Sequence, residues 1–290
     1  MKIAVIGKFE RWPWGQHPDE AYVADALQAV GADVLRIDQN KHQGPQPGVD
    51  WAFFTGHPGS RGLIPAWAKT HKTIFWTLDW IPNYGRESMI EAARQATLFL
   101  SSDEYDWKGV YGVTNHHYLP GACEGISINL DAKPKRPCAF LGSLYNERRR
   151  QIAKLVMGLG GEVRMQPGGW VYGKALADYV QTTKVIVGDN AVNDCPGYWS
   201  SRNYIIPGSG GFLLTARVPG LEKQFEIGKH LDVYDSMEEL CAKLGYWISK
   251  DQERETIRRV GFNHVQVKHN WKARAVLLIK ILEEHVSARD

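Results

Sequence analysis

Three stretches in the second half of the chain bring glycine, hydroxyl and arginine side chains together in spacings that suit an anionic ligand. The first, Phe140-Leu-Gly142-Ser143-Leu-Tyr-Asn-Glu-Arg148, leaves an apolar run through a glycine and a serine and reaches an arginine about one helical turn later. Gly142 lets the backbone come close to a ligand, and Ser143 and Arg148 can donate to phosphate oxygens. The same residues also make an ordinary strand-to-helix turn followed by a solvated Arg148-Arg149-Arg150 run. The second stretch, Gly168-Gly169-Trp170-Val171-Tyr172-Gly173, reads equally as a slot for a flat base and as a loop closing over a buried indole. In the third, Ser200 or Ser201 can cap a short helix with Arg202 in its first turn, and Pro207, Gly208, Gly210 and Gly211 end it. A cation in a first turn opposes the helix dipole. Arg202 therefore makes better sense beside a bound diphosphate than in an empty cap.

The elements that would position these turns follow from periodicity. Short apolar runs alternate with amphipathic stretches, the mark of β-α-β units on a parallel sheet. Strands are expected at Lys2–Ile6, Asp33–Ile37, Trp51–Thr55, Thr73–Trp76 and Thr97–Leu100, and helices at Asp19–Val30, Leu63–Thr70 and Arg86–Gln95. A Pro- and Lys-rich stretch, 133–137, reads as an interdomain linker. A second series follows: strands at Cys138–Leu141, Glu162–Met165, Lys184–Val187, Phe212–Thr215 and Leu231–Tyr234, with helices at Asn146–Met157, Lys174–Thr182 and from about Ser201. Ser236 and Glu239 form a capping box, and the tail beyond it has helical spacing up to Leu282.

Composition narrows the function classes. The chain has 290 residues, enough for two domains, and the apolar and charged content of a globular protein. Its four cysteines form no C-x-x-C pair, which argues against a zinc ribbon or disulfide framework and suits the cytoplasm. No apolar run approaches the length of a membrane helix. Residues 1–120 carry 11 Lys and Arg against 13 Asp and Glu, and the remainder 24 against 19, so the basic excess lies in the second half. The first strand ends in Gly7-Lys8-Phe9, not in G-x-G-x-x-G, which counts against a nicotinamide-dependent oxidoreductase.

The segment Ser201–Thr215, followed by Gly220-Leu-Glu-Lys-Gln-Phe225, Tyr234-Asp235-Ser236 and His269-Asn-Trp271-Lys-Ala-Arg274, resembles the C-terminal domain of glycosyltransferases with the GT-B fold. The similarity is greatest to the branch holding spore-maturation and phage-type enzymes. It covers about residues 120–285, with Leu119-Pro120-Gly121 and Phe140-Leu-Gly142-Ser143 in their expected places; the first lobe matches only in its β/α pattern. The resemblance implies an α/β protein with two Rossmann-like parallel-sheet lobes facing a central cleft. Residues 1–120 would bind the acceptor, 121–270 the nucleotide sugar, and 271–290 would be a helix returning to the first lobe.

It further implies that Gly142, Ser143, Arg148, Ser200, Ser201 and Arg202, with Gly210 and Gly211, hold the donor diphosphate. Val171, Tyr172 and Gly173 would lie against the base. The co-substrate is then a UDP-sugar such as UDP-glucose, with no other cofactor and no metal. An Asp-x-Asp metal motif of the GT-A type does not occur in the chain. Ile205 stands where many GT-B enzymes carry a glutamate that binds the donor, so the resemblance implies neither a sugar nor a stereochemical course. A non-catalytic nucleotide-binding module is the competing reading.

Transfer with inversion needs a general base. The candidates are Asp79 between Trp76 and Trp80, His57 after Gly56, and Glu10 and His17 on a long loop with Trp12 and Trp14. The acceptor is a glycan hydroxyl or a 5-hydroxymethylpyrimidine in DNA, with Trp12, Trp14 or Trp80 stacking on an extruded base.

Overall fold

Strands that are apolar on both sides must be covered on both faces, which is the condition of a parallel sheet with helices above and below. The computed structural model describes residues 1–10, 18–41, 44–78, 87–125, 128–165 and 171–287. The chain divides into two compact units: Met1–Gly121 together with Trp271–Asp290, and Ala122–Asn270.

The first unit has six parallel strands, β1 (Lys2–Gly7), β2 (Asp33–Asp38), β3 (Trp51–Thr55), β4 (Lys72–Thr77), β5 (Leu98–Ser101) and β6 (His116–Tyr118), ordered β2-β1-β3-β4-β5-β6. Alternate residues serve opposite faces. Ile6, Phe54, Phe75 and Phe99 pack towards Trp67 and Met89. Ile3, Val5, Phe53 and Trp76 pack towards Leu27 of α1 (Asp19–Ala29) and Leu278 and Leu282 of the last helix, Trp271–Ser287. That last helix is tied to this unit in two more ways. Trp271 stacks on Tyr22 with ring centroids 5.4 Å apart, and the buried Arg274 donates through Nε to the carbonyls of Pro120 and Gly121.

The helix expected over Leu63–Thr70 is shorter, α3 (Ile64–Trp67), and a further short one, α2 (Pro58–Arg61), precedes it. A proline in the first turn of each restarts the chain, because a ring that fixes φ and lacks an N–H belongs at a helix start. The helix α4 (Glu87–Gln95) follows. Two elements escape the periodicity. The helix α5 (Trp107–Tyr111) is a single turn capped by Asp106 and closed by Gly112 at φ 66°. The strand His116-His117-Tyr118 has no apolar signature and forms because it continues the ladder of β5, Phe99 facing His116 and Ser101 facing Tyr118.

The second unit has five parallel strands, β7 (Arg136–Leu141), β8 (Glu162–Arg164), β9 (Thr183–Gly188), β10 (Leu213–Ala216) and β11 (Asp232–Tyr234), ordered β11-β10-β9-β7-β8. Phe140, Val187 and Leu214 face α6 (Glu147–Gly158) and α9 (Met237–Ser249). Ala139, Ile186 and Leu213 face α7 (Gly173–Gln181), α8 (Arg202–Gly208) and Val265 of α10 (Asp251–Lys268). The final helix, Trp271–Ser287, is α11.

Part of the expected linker is strand. Arg136 pairs with Thr183 and Cys138 with Val185, so Pro137, which has no N–H to give, falls on the unpaired position between them. Pro207 lies inside α8 instead of ending it. The capping box is offset: Ser236 Oγ takes the Glu239 amide, but the Glu239 carboxylate reaches the amide of Asp235 at 2.7 Å. Among the described residues no helix is long and apolar enough to cross a membrane.

Because Leu282 is 0% exposed and its neighbour on the outer face, Leu277, 42% exposed, the two test how α11 is held. Leu282→Ala is expected to lower unfolding free energy by about 3 kcal/mol in denaturant titration. Leu277→Ala should change it by less than about 0.5 kcal/mol.

Candidate functional site

In each sheet the strand order reverses once, and there the loops leaving two neighbouring strands diverge and open a crevice at their carboxyl ends. In the second unit this happens between β7 and β9. Gly142 and Ser143 leave one strand, and Asp189 and Asn190 the other.

Three arginines converge there on one acid. The Asp189 side chain is fully shielded from solvent, with Arg148 Nε 2.8 Å from one carboxylate oxygen and Arg149 Nε 2.9 Å from the other. Arg148 also donates to the carbonyl of Asn190 and Arg149 to those of Ser143 and Asp189. Arg202 donates through Nη2 to the Asp189 carbonyl at 3.1 Å. Its Nε is buried with no partner among the described residues. Burial, then the nearby Arg149 charge, brings the Arg202 guanidinium down to about 10, still cationic at neutral pH.

The predicted residues are placed as follows. Arg148 is half-buried and lines a cavity of about 540 Å³ at the carboxyl ends of β9, β10 and β11, whose walls include Asn193, Asp194, Arg217 and Asp235. Ser143 is exposed, in the turn before α6. Gly142 does not offer its amide to a ligand, since that N–H donates to the Arg164 carbonyl. A Cβ there would come within 3.1 Å of the Phe140 ring and 3.4 Å of Arg149 Nη1, so the glycine makes room for the arginine. Ser200 Oγ accepts from the Arg202 amide, while Ser201 occupies the cap position without capping. Arg202 is not on the surface of the turn but behind Asp189. Ile205 is partly buried against the core of the unit.

Gly210 and Gly211, expected at the diphosphate, do not face the crevice. They precede β10 and so lie at the amino edge of the sheet, away from the crevice. Gly210, at φ 77°, gives its carbonyl to Arg258, and a Cβ on Gly211 would come within 2.2 Å of Val180. Both are packing residues. Val171, Tyr172 and Gly173 stand at the start of α7, with Gly173 at φ 52° and Val171 against the core. Gly168, Gly169 and Trp170 lie outside the described residues.

Two residues of this site were missed. Arg149 was read as part of a solvated run, yet Arg149, Ile152, Ala153 and Val156 are the buried residues of α6 and share one helical face. Asp189 is a lone acid at the end of an apolar strand, a position that sequence alone treats as a turn.

In the first unit the reversal lies between β1 and β3. Asp79, His17, Trp12, Trp14 and Trp80 lie outside the described residues, and Glu10 is exposed. His57 Nδ1 accepts from the Gly59 amide at 3.2 Å and faces Gln39 Nε2 at 3.3 Å. A neutral His57 therefore carries its proton on Nε2 and is a donor there. Burial, helped by Lys8 and Arg61, lowers its basicity further. His116 is a half-buried strand residue, held neutral by burial at about 4, with Nε2 2.8 Å from Ser101 Oγ.

The acid that does occupy this reversal is Glu20, which sequence placed only as a first-turn residue of α1. It is 4% exposed. Thr55 Oγ1 donates to it at 2.5 Å, and Gly7 is a glycine because a Cβ would sit 2.2 Å from Glu20 Cγ. Burial raises its pKa, outweighing the Thr55 hydrogen bond and the Lys8 charge. Among the described residues no three His, Cys, Asp or Glu side chains gather as a metal site requires.

Two parallel, doubly wound sheets, one with a cluster of cations at its reversal point, define a protein of the GT-B glycosyltransferase fold. Residues 128–280, more than half of the chain, match the family model described as glycosyl transferase-like, and the chain belongs to that family. It is similar in structure to sucrose-phosphate synthase from Thermosynechococcus elongatus, with a TM-score of 0.67, 11% identity and 99% of each chain covered. A second similar structure is Anabaena HepE, solved with UDP and glucose, with a TM-score of 0.66, 10% identity, and 98% of this chain and 100% of that one covered. A third is the DNA-modifying enzyme β-glucosyltransferase, with a TM-score of 0.64, 10% identity and the same coverage. At these identities the likeness is one of fold. No curated protein matches the chain by sequence.

The environment of Glu20 makes a testable statement about stability. Its folded pKa lies above the unfolded one, so its contribution is fully present below the unfolded value of about 4.3 and is lost as pH rises through the folded value. Glu20→Gln, which keeps the oxygen that Thr55 bonds, is expected to raise the melting temperature by roughly 3 °C at pH 8. At pH 4 it should leave the melting temperature unchanged. An equal effect at both pH values would show that the folded pKa is not raised.

Proposed function

We propose that the second unit binds a nucleoside diphosphate sugar, with UDP-glucose the first donor to try, and that the protein transfers the sugar to an acceptor hydroxyl without a divalent metal. The observation that carries this reading is the surplus of positive charge at the β7–β9 reversal, where Arg148 and Arg149 share the single carboxylate of Asp189 and Arg202 reaches only its backbone carbonyl. Negative charge builds on the diphosphate as the glycosidic bond breaks, and preorganised cations in a site shielded from water stabilise it. Guanidinium forks match phosphate oxygens in geometry.

Arg148, on the wall of the cavity, is the direct ligand in this reading; Arg149 and Arg202 act from behind. The cavity has the volume of a ligand site. The base lies against Val171, Tyr172 and Gly173. The first unit supplies the proton acceptor, from Asp79, His17, Glu10 or Glu20, while His57 with its Nε2–H orients the acceptor. Within the family, the motifs of Ser201–Thr215 and His269–Arg274 favour the spore-maturation and phage-type branch. Four cysteines without a disulfide suit the cytoplasm.

Incubation with a panel of UDP-, GDP- and TDP-sugars is expected to release nucleotide from at least one. Binding without any turnover would leave a nucleotide-binding module, and neither binding nor turnover across the panel sinks the reading. Arg148→Ala is expected to weaken donor binding roughly 10- to 100-fold by calorimetry, the size of a lost charged hydrogen bond. Unchanged affinity would remove Arg148 from the site.

The acceptor is a glycan hydroxyl or a 5-hydroxymethylpyrimidine in DNA. Duplex binding releases counterions, so a steep fall of turnover between about 50 and 200 mM salt favours DNA, and a flat response favours a glycan.

A further inference from the structure

We infer that Asp189 sets the charge of the donor site so that it accepts a sugar-bearing diphosphate in preference to the more highly charged diphosphate left after transfer. The inference rests on the donor reading above and concerns which form of the diphosphate the site holds.

Three guanidinium groups and one carboxylate meet at the reversal point, a surplus of two positive charges. Water screens the inner part of this surplus little, because Asp189 is fully shielded and Arg149 is 3% exposed, while Arg148, 37% exposed, is screened more. Among the described residues no second acid completes the pairing. Arg202 reaches only a carbonyl, and its buried Nε has no partner among the described residues. The remaining charges on the cavity wall add no free cation. Arg217 is held by Asp235 and Glu222, and Asp194 stands exposed on the rim.

Each phosphate of a nucleoside diphosphate sugar carries one negative charge, about two in all. Once the sugar leaves, the terminal phosphate can lose a second proton with a pKa of about 6, and the charge rises to about three at neutral pH. The surplus of two therefore matches the donor and is exceeded by the product. Had position 189 been neutral, the surplus would match the product instead. Asp189 is thus a positioning residue for two arginines and the residue that keeps the spent nucleotide from being held too tightly.

Titration calorimetry with UDP, UDP-glucose, GDP and GDP-mannose reads the affinity of free diphosphate relative to its sugar donor. Asp189→Asn keeps the side-chain shape and raises the surplus by one. The ratio is expected to move about tenfold towards the free diphosphate, as an unscreened unit charge at short range allows. Arg148→Gln lowers the surplus by one at a half-exposed position and should move the ratio about tenfold the other way. Melting curves establish that each variant is folded, and if Asp189→Asn is not, Arg148→Gln decides alone. A ratio within about twofold of wild type in the folded variants overturns the inference and leaves the donor site standing. Failure of the wild-type protein to bind any of the four nucleotides overturns the donor reading itself.

Discussion

A parallel sheet covered by helices on both faces has no polar face, so polar groups can enter its interior only at the strand ends. Both units obey this constraint. Every residue of β3, β5, β10 and β11 is buried, and several of the polar groups that lie deep in each unit stand where strands stop. Thr55, Ser101, Asp189 and Tyr234 are all at or just past the carboxyl end of a strand. The fold thus decides where chemistry is possible before any particular side chain is chosen.

The two reversal points resolve the same electrostatic problem in opposite ways. Burying a lone carboxylate costs several kcal/mol unless it is paired or becomes neutral. At the β1–β3 reversal Glu20 has a hydroxyl for a partner, and its proton is retained more firmly. At the β7–β9 reversal Asp189 lies between two arginines that hold its charge in place. The first arrangement places a carboxyl of raised basicity next to Thr55, useful where a hydroxyl is to give up its proton. The second stores positive charge, useful where a leaving group turns anionic. Tyr234 reinforces the second: burial raises its pKa, so it stays a neutral donor, bonded to the Gly188 carbonyl at 2.8 Å next to Asp189.

What could be read from the sequence follows from range. The strands of both sheets have local apolar signatures, and their limits agree with the structure to within one or two residues. His116–Tyr118 has none, and only its place beside β5 makes it a strand. Arg148 and Arg202 could be singled out because each follows a turn of recognisable chemistry. That Arg202 lies behind Asp189 could not, because the two are brought together by the crossing from β9 to α8, not by spacing. Gly210 and Gly211 were misassigned for the complementary reason. A glycine pair next to a helix looks the same whether it admits a phosphate or a neighbouring valine, and only the sheet edge on which it lies tells the two apart.

Arg202 also shows how a locally unfavourable residue becomes acceptable. A cation in the first turn of α8 faces the positive end of the helix dipole, and burial adds a desolvation penalty that lowers its pKa. The Asp189 carbonyl at 3.1 Å and the adjacent carboxylate offset part of that cost. The unpartnered Nε is the part that is not offset. A folded protein keeps few such groups, since each costs about 1–3 kcal/mol. In the proposed donor site a diphosphate would supply the charge and the oxygens that this arginine, beside two others and one acid, lacks.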